Sequence, residues 1–426
     1  MKVLWITNTL FEKHFDLVGL NNAPTGSGGW YKAAYDAIKE DPAIALHIVA
    51  LSPRVREIVS CQDEHNNHFY VVPGSNTTDD RDFDSIGNRR YWQTIRDMAQ
   101  PDIVQLWGTE YQHGLCALRV MQGIPQVVYI QGVLSEIARY YLAGIDKKVY
   151  QKHYTLRNLI KRDSSVNIQR AFFKRAEYEK DILRLAKNVI VENEWCEGIC
   201  SNIIGQGANV YKSQLPINSS FMTTKWDLGD IEKYSVFTNA GGYNIKGHHF
   251  LLEAIGIVKE VYPQVKVRIP GSTRLNRHGS KERCKYTDYD HYLNSIIDRF
   301  DLTGNVEWMG KMTQMEMART ISRSHVFVMP SAIENHSSSL IEAMCVGIPC
   351  VSSFVGGVND FCVHNKNCLL YRFDDVRSLA HDIISLFSDP ARCGHLSEYA
   401  LMMRERRGEN RIKDEFRHIY EAVAKC

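Results

Sequence analysis

The chain predicts an α/β fold of two doubly wound, parallel-sheet domains facing a cleft. Three observations carry that expectation. Short apolar runs alternate with helical patterns through both halves of the chain, the order that builds parallel sheets covered by helices. A stretch rich in Gly, Asn, Ser and Thr, with Pro216, separates the halves between Gly205 and Asp230 and reads as a linker. The 426 residues are also too many for one ordinary core.

In the first half the strand candidates are 2–8 (KVLWITN), 45–52, 68–73, 102–108, 126–132 and 188–193. Helical patterns fall at 31–39, 91–98, 113–121 and about 170–185. The second half repeats the scheme, with strands at 234–240, 265–271, 305–310, 325–330 and 349–354 and helices at 247–260, 285–300, 313–322, 338–346 and 376–388. Two Rossmann-like domains, 1–215 and 216–403, follow from this. In such sheets ligands bind beyond the carboxyl ends of the strands. The tail, 404–426, has a charged helical pattern with Phe416, Ile419, Tyr420 and Val423 on one face.

Composition sets outer limits. Formal net charge is +2, so no overall field draws the chain to nucleic acid. The eleven cysteines are scattered, several inside apolar runs and none in a CxxC pair, as expected of reduced thiols in a cytoplasmic protein. Cys61, His65 and His68 have a metal-like spacing but no fourth ligand nearby, so no metal site is expected. MKVLWITNT enters a strand pattern directly, unlike a signal peptide, and no apolar run approaches the ~18 residues that span a membrane.

The richest stretch is SAIENHSSSLIEAMCVGIPC, Ser331 to Cys350. It follows the strand HVFVMP, so Ser337, Ser338 and Ser339 fall at a helix start, where serine caps and where N–H groups hold phosphate. Glu334 precedes the helix and Glu342 lies about one turn in. A carboxylate beside a phosphate site suits hydroxyls rather than phosphate, so the ligand expected is a sugar nucleotide. A bare E-x7-E pair equally describes a capped, solvated helix. In YNIKGHHFLLEAI, Lys246 and Gly247 open another helix, and a lysine there favours an anionic ligand. In PTGSGGWYKAAYDAI, Gly28 and Gly29 allow close backbone approach to a ligand or form an ordinary loop. They lie too far from the preceding strand for a dinucleotide fingerprint.

Taken together, E-x7-E, EAM-x-x-G-x-P, the GG pair at 356–357 and the strand at CLLY resemble the donor half of family 4 glycosyltransferases of the GT-B fold. The resemblance implies a metal-independent, cofactor-free, retaining glycosyltransferase. It would move a hexose from a nucleotide-diphosphate sugar to a glycan or lipid-linked glycan, in surface polysaccharide synthesis. It implies Glu334 on the transferred sugar, Glu342 on the ribose, Ser337 to Ser339 and Lys246 on the diphosphate, and Gly28 and Gly29 closing over the donor. It also implies that 404–426 crosses back onto the acceptor-side domain, 1–215, with 216–403 binding the donor. Two departures stand out. The family's diphosphate arginine is matched near Gly241, with Arg274 a substitute cation, and its acceptor-side histidine is matched by Gln131.

Glu110, His113 and Gln131 are the acceptor-side candidates, each with a structural role as an equal reading. Residues 147–175 are strongly basic with interleaved aromatics. They read either as a solvated face or as peripheral contact with an anionic membrane at its inner face. Asp288 and Asp290 in TDYD read as helix-start aspartates. Two other functions stay open: a non-catalytic sugar-nucleotide-binding partner of another transferase, and a sugar-nucleotide epimerase or phosphorylase.

Overall fold

The alternating pattern builds two separate sheets. A computed structural model describes all residues except 12, 21–28, 76–81, 239–240, 272–274, 276–283, 407–408 and 426. The chain divides into two compact units: Met1–Ser135 with Ala171–Pro216 and Arg407–Cys426, and Glu136–Arg170 with Ile217–Arg406.

The first unit holds β1 (Lys2–Ile6), β2 (Ala45–Ser52), β3 (Val59–Gln62), β4 (His68–Pro73), β5 (Ile103–Trp107), β6 (Gln126–Tyr129), β7 (Asn188–Val191) and β8 (Asn209–Lys212). Their order is β3-β4-β2-β1-β5-β6-β7-β8, parallel except for the β3–β4 pair. The central strands β1, β5 and β6 are buried on both faces, which is why they read as unbroken apolar runs. The edge strands β3 and β8 are half exposed and carry no such run, and they were not expected. β8 falls inside the stretch read as a linker, as does a helical turn at Ser219–Thr223.

The tail forms the helix Glu409–Val423 within this unit. Its apolar face supplies Phe416 and Tyr420 to a core containing Trp5, Trp107 and Tyr129. The buried polar atoms are matched as well. Trp5 Nε1 donates to Tyr420 Oη at 2.9 Å, and Tyr420 Oη donates to Gln105 Oε1 at 2.6 Å.

The second unit holds β9 (Ser235–Thr238), β10 (Lys266–Pro270), β11 (Val306–Gly310), β12 (Val326–Met329), β13 (Cys350–Ser353) and β14 (Leu369–Tyr371). All are parallel, in the order β11-β10-β9-β12-β13-β14. The connections from β9 run to one side and those from β12 to the other. The gap between the carboxyl ends of β9 and β12 is therefore a topological switch point.

Residues 136–170, grouped by chain order with the first domain, pack instead in the second unit. Polar contacts hold them there. Asn244 Nδ2 donates to Tyr150 Oη at 2.7 Å, His249 Nε2 meets the Ala143 carbonyl at 3.0 Å, and the Ser165 amide and hydroxyl donate to Asp288 at 2.8 and 2.9 Å. Asp290 forms a reciprocal cap with Thr287. Both TDYD carboxylates are thus engaged in helix-start and docking contacts.

Candidate active site

The switch point of the second unit gathers residues from two loops. After β9 a helical turn, Asn244–Lys246, leads through Gly247 into the helix His248–Val261. After β12 the loop from Pro330 leads to the helix Ser338–Val346. The loops are tied together: the Ala332 amide donates to the Ile245 carbonyl at 2.7 Å, and Ser353 Oγ donates to the Ser331 carbonyl at 2.6 Å.

Lys246 Nζ and Glu334 Oε1 form an ion pair at 2.7 Å. Ser331 Oγ donates to the same oxygen at 2.6 Å. Both donors converge on Oε1, so Oε2 keeps its acceptor capacity among the described residues. The Glu334 carbonyl accepts the Gly357 amide at 3.2 Å, so backbone and side chain are both held.

The next helix starts without a side-chain cap. Ser337 occupies the cap position, but its hydroxyl accepts no backbone N–H and lies 3.4 Å from Ser339 Oγ. The expected capping role is therefore not made, and the first-turn amides keep their donors and partial positive charge. Ser337 is buried and Ser338 exposed. Glu342, one turn further, is half-buried and makes no hydrogen bond or ion pair with another described residue. Burial pushes its carboxyl up to about 8.

That shift has a testable sign. Between the ordinary carboxylate value near 4.5 and about 8, the folded chain holds a proton on Glu342 that the unfolded chain has released. This group's contribution therefore falls as pH rises through that window. Glu342→Gln removes the loss. Urea unfolding should show the variant gaining stability over the wild type from pH 5 to pH 8, while equal profiles would reject an unpaired buried carboxyl.

The first unit has its own switch point, between β1 and β5. Asn8, just past β1, donates to the Trp107 carbonyl at 3.1 Å and to Glu110 Oε2 at 2.5 Å. Thr109 Oγ1 donates to Glu179 Oε2 at 2.6 Å, and the Leu134 amide donates to Glu179 at 3.0 Å. Arg175 Nε donates to the Glu110 carbonyl at 2.7 Å, with its guanidinium over Phe172 and Tyr111. Burial raises both the Glu110 and Glu179 carboxyls to about 7, against the pull of Arg175. Asn8, Thr109, Arg175 and Glu179 were not expected here. Asn8 had a readable signal, its place directly after an apolar strand.

His113 is drawn into the protein, 8% exposed. Its ring lies beside Trp92 and Tyr111, and burial lowers it to about 4, so it stays neutral. Gln131 is half-buried just after β6. Gly29 begins the helix Gly29–Ile38. Gly28 and Arg274 lie outside the described residues. Among the described residues no three or more His, Cys, Asp or Glu side chains gather as a metal site, and the ten cysteines are free thiols. No helix among them is long and apolar enough to cross a membrane.

Residues 222–403, which carry this switch point, match the family of glycosyl transferases group 1. The chain is 26% identical over 161 residues to a D-inositol 3-phosphate glycosyltransferase of Corynebacterium urealyticum, covering 37% of this chain and 35% of that one. It is 28% identical over 141 residues to a putative colanic acid biosynthesis glycosyltransferase, WcaL, of Escherichia coli K12, covering 32% of this chain and 31% of that one. The aligned part thus spans about a third of the length of these curated relatives. Whole-chain likeness is one of fold. Sucrose-phosphate synthase from Thermosynechococcus elongatus superposes with a TM-score of 0.70 at 15% identity, covering 99% of both chains. Anabaena HepE in complex with UDP-glucose does so at 0.65 and 16% identity, covering all of both. The fold is GT-B, and residues 222–403 of its second unit match the model of glycosyl transferases group 1.

Proposed function

We propose that the chain is a retaining, metal-independent glycosyltransferase that moves a hexose from a nucleotide-diphosphate sugar to a glycan or lipid-linked glycan acceptor in surface polysaccharide synthesis. One observation carries the reading: the Lys246–Glu334 pair beside an uncapped helix start, at the switch point of the second sheet. Lys246 and the first amides of Ser338–Val346 neutralise the diphosphate as it leaves with the electrons of its bond to the anomeric carbon. The acceptor oxygen bonds to the same face of that carbon and gives its proton to the departing diphosphate oxygen. Glu334 Oε2 accepts from a hydroxyl of the transferred sugar. Glu342 accepts from the ribose, and those bonds favour its ionised form, so nucleotide binding below pH 8 releases a proton. Glu110 and Gln131 are the acceptor-side contacts of this reading. Gly28, Gly29 and Arg274 keep their proposed donor roles. Anabaena HepE, described in complex with UDP-glucose, makes UDP-hexoses the first donors to try.

A second reading, a non-catalytic sugar-nucleotide-binding partner, is favoured by one feature. Where the family carries an arginine stands Gly241, and a Cβ there would come within 3.2 Å of Ile269 Cγ2. A thermal-shift panel of UDP, GDP, ADP and their sugars, with and without EDTA, tests the donor site. A nucleotide at 100 times its Kd should add roughly 2.7 kcal/mol of stability, unchanged by EDTA and reduced in Lys246→Ala. A shift that EDTA abolishes overturns metal independence. No shift with any nucleotide removes the donor site, and a shift without turnover on any acceptor selects the partner reading.

A further inference from the structure

The helix Leu156–Lys161 in the second unit is amphipathic in the wrong direction for a core element. Its buried side chain is the polar one. Asn158 is 0% exposed, capped reciprocally with Thr155 and donating to Asp163 at 3.1 Å. Its large aliphatics face water, with Leu156 72%, Leu159 61% and Ile160 73% exposed. Three adjacent aliphatics held outward by a polar anchor mark a contact surface rather than a packing accident.

The charge around them is of one sign. Lys147, Lys148, Lys152, Lys161 and Arg162 are all exposed, and none forms an ion pair with a described residue. The nearby acids are engaged locally: Asp146 caps the helix Lys147–Lys152, and Asp163 pairs with Arg157 at 2.5 Å. Beside the helix lies a hollow of about 830 Å³ lined by Lys152, Arg157, Lys161 and Lys285 together with Tyr154 and Ile160. The platform is fixed to the unit through Thr155, which donates to the Tyr286 carbonyl, and through Ser165 on Asp288.

We propose that residues 147–162 dock the protein on an anionic lipid bilayer, with Leu156, Leu159 and Ile160 entering the interface and the surrounding lysines on the head groups. An anionic bilayer offers negative charge outside and hydrocarbon just beneath, which matches this ring of cations around an apolar centre. The hollow suits a phosphate head group, because cations and aliphatics line it together. The proposal is independent of the transferase reading.

The test is flotation of the full chain with phosphatidylcholine vesicles, with and without phosphatidylglycerol, at low and high salt. Binding is expected only with phosphatidylglycerol, and weaker at high salt. It should fall roughly tenfold or more in Lys147→Glu/Lys148→Glu/Lys152→Glu, and likewise in Leu156→Ser/Leu159→Ser/Ile160→Ser. All six side chains are exposed, and an unchanged thermal unfolding midpoint shows that the variants fold. No flotation at low salt, equal flotation with neutral vesicles, or no effect of the charge reversals overturns the proposal. A wild-type dimer on gel filtration that the serine variant alone dissolves, with flotation unchanged, would reassign the patch to self-association.

Discussion

Glu334→Ala is expected to slow transfer roughly 100- to 1000-fold, the ~2.7–4 kcal/mol that one preorganised polar contact contributes at a reacting centre. The geometry makes the effect specific. Glu334 is held by Ser331 and Lys246 on one oxygen and by Gly357 on its carbonyl, so little reorganises when a sugar hydroxyl reaches the other oxygen. Nucleotide affinity should barely change in Glu334→Ala, because the residue is proposed to serve the sugar. In Lys246→Ala both nucleotide affinity and kcat should fall, because the cation is proposed to serve the diphosphate. The Glu334 and Lys246 side chains are only 11% and 26% exposed, so truncating either leaves its partner's charge poorly solvated and should also lower stability. Being in contact, the two substitutions should not add. Steady-state kinetics with nucleotide Kd for the two single variants and the double variant supply the check. A Glu334→Ala variant that loses nucleotide and keeps kcat would move this carboxylate off the sugar.

The two loops on which Lys246 and Glu334 converge were legible because the parts of each lie close in sequence. Lys246 and Gly247 are adjacent, and Glu334 to Glu342 spans one loop and one helical turn after an apolar strand. Chemistry at a strand's carboxyl end can be read that way. The first unit's cluster cannot. Asn8, Thr109, Arg175 and Glu179 come from segments far apart in the chain, and only the parallel order β1-β5-β6 brings them together. His113 was misleading for the same reason: a histidine at a helix start looks available until the fold covers it with Trp92 and Tyr111. The excursion 136–170 was grouped by chain order, because the partners of its buried Tyr141, Leu142, Ile145 and Tyr150, and of the hydrogen bond between Tyr150 and Asn244, lie far off in the chain. The helix Leu156–Lys161 reversed the rule that aliphatics point inward. The edge strands β3 and β8 lacked the pattern because an edge is half solvated.

Two glycines hold the loop that carries Glu334, and replacing either should cost about 2–5 kcal/mol. That figure combines ~1–2 kcal/mol for a side chain at left-handed φ with ~1–3 kcal/mol for forced repacking. Gly247 sits at φ 68°, and a Cβ there would lie 1.8 Å from the Pro330 carbonyl oxygen. Gly356 sits at φ 50°, and its Cβ would lie 1.8 Å from the Glu334 carbonyl oxygen. Backbone, unlike the tip of a long side chain, cannot step aside cheaply, so one wall of the loop must shift in each variant. Gly310 is the control. Its φ of 69° matches Gly247, but a Cβ there meets nothing within 4 Å among the described residues, so Gly310→Ala should cost only the conformational part. Urea unfolding of Gly247→Ala against Gly310→Ala isolates the collision, and equal losses would mean that the close approach contributes nothing. Gly356→Ala should also lower kcat in native buffer more than nucleotide affinity, because it displaces the carbonyl of the carboxylate proposed to hold the sugar. A variant that is less stable yet fully active would show that the position of Glu334 is set from its Lys246 side alone.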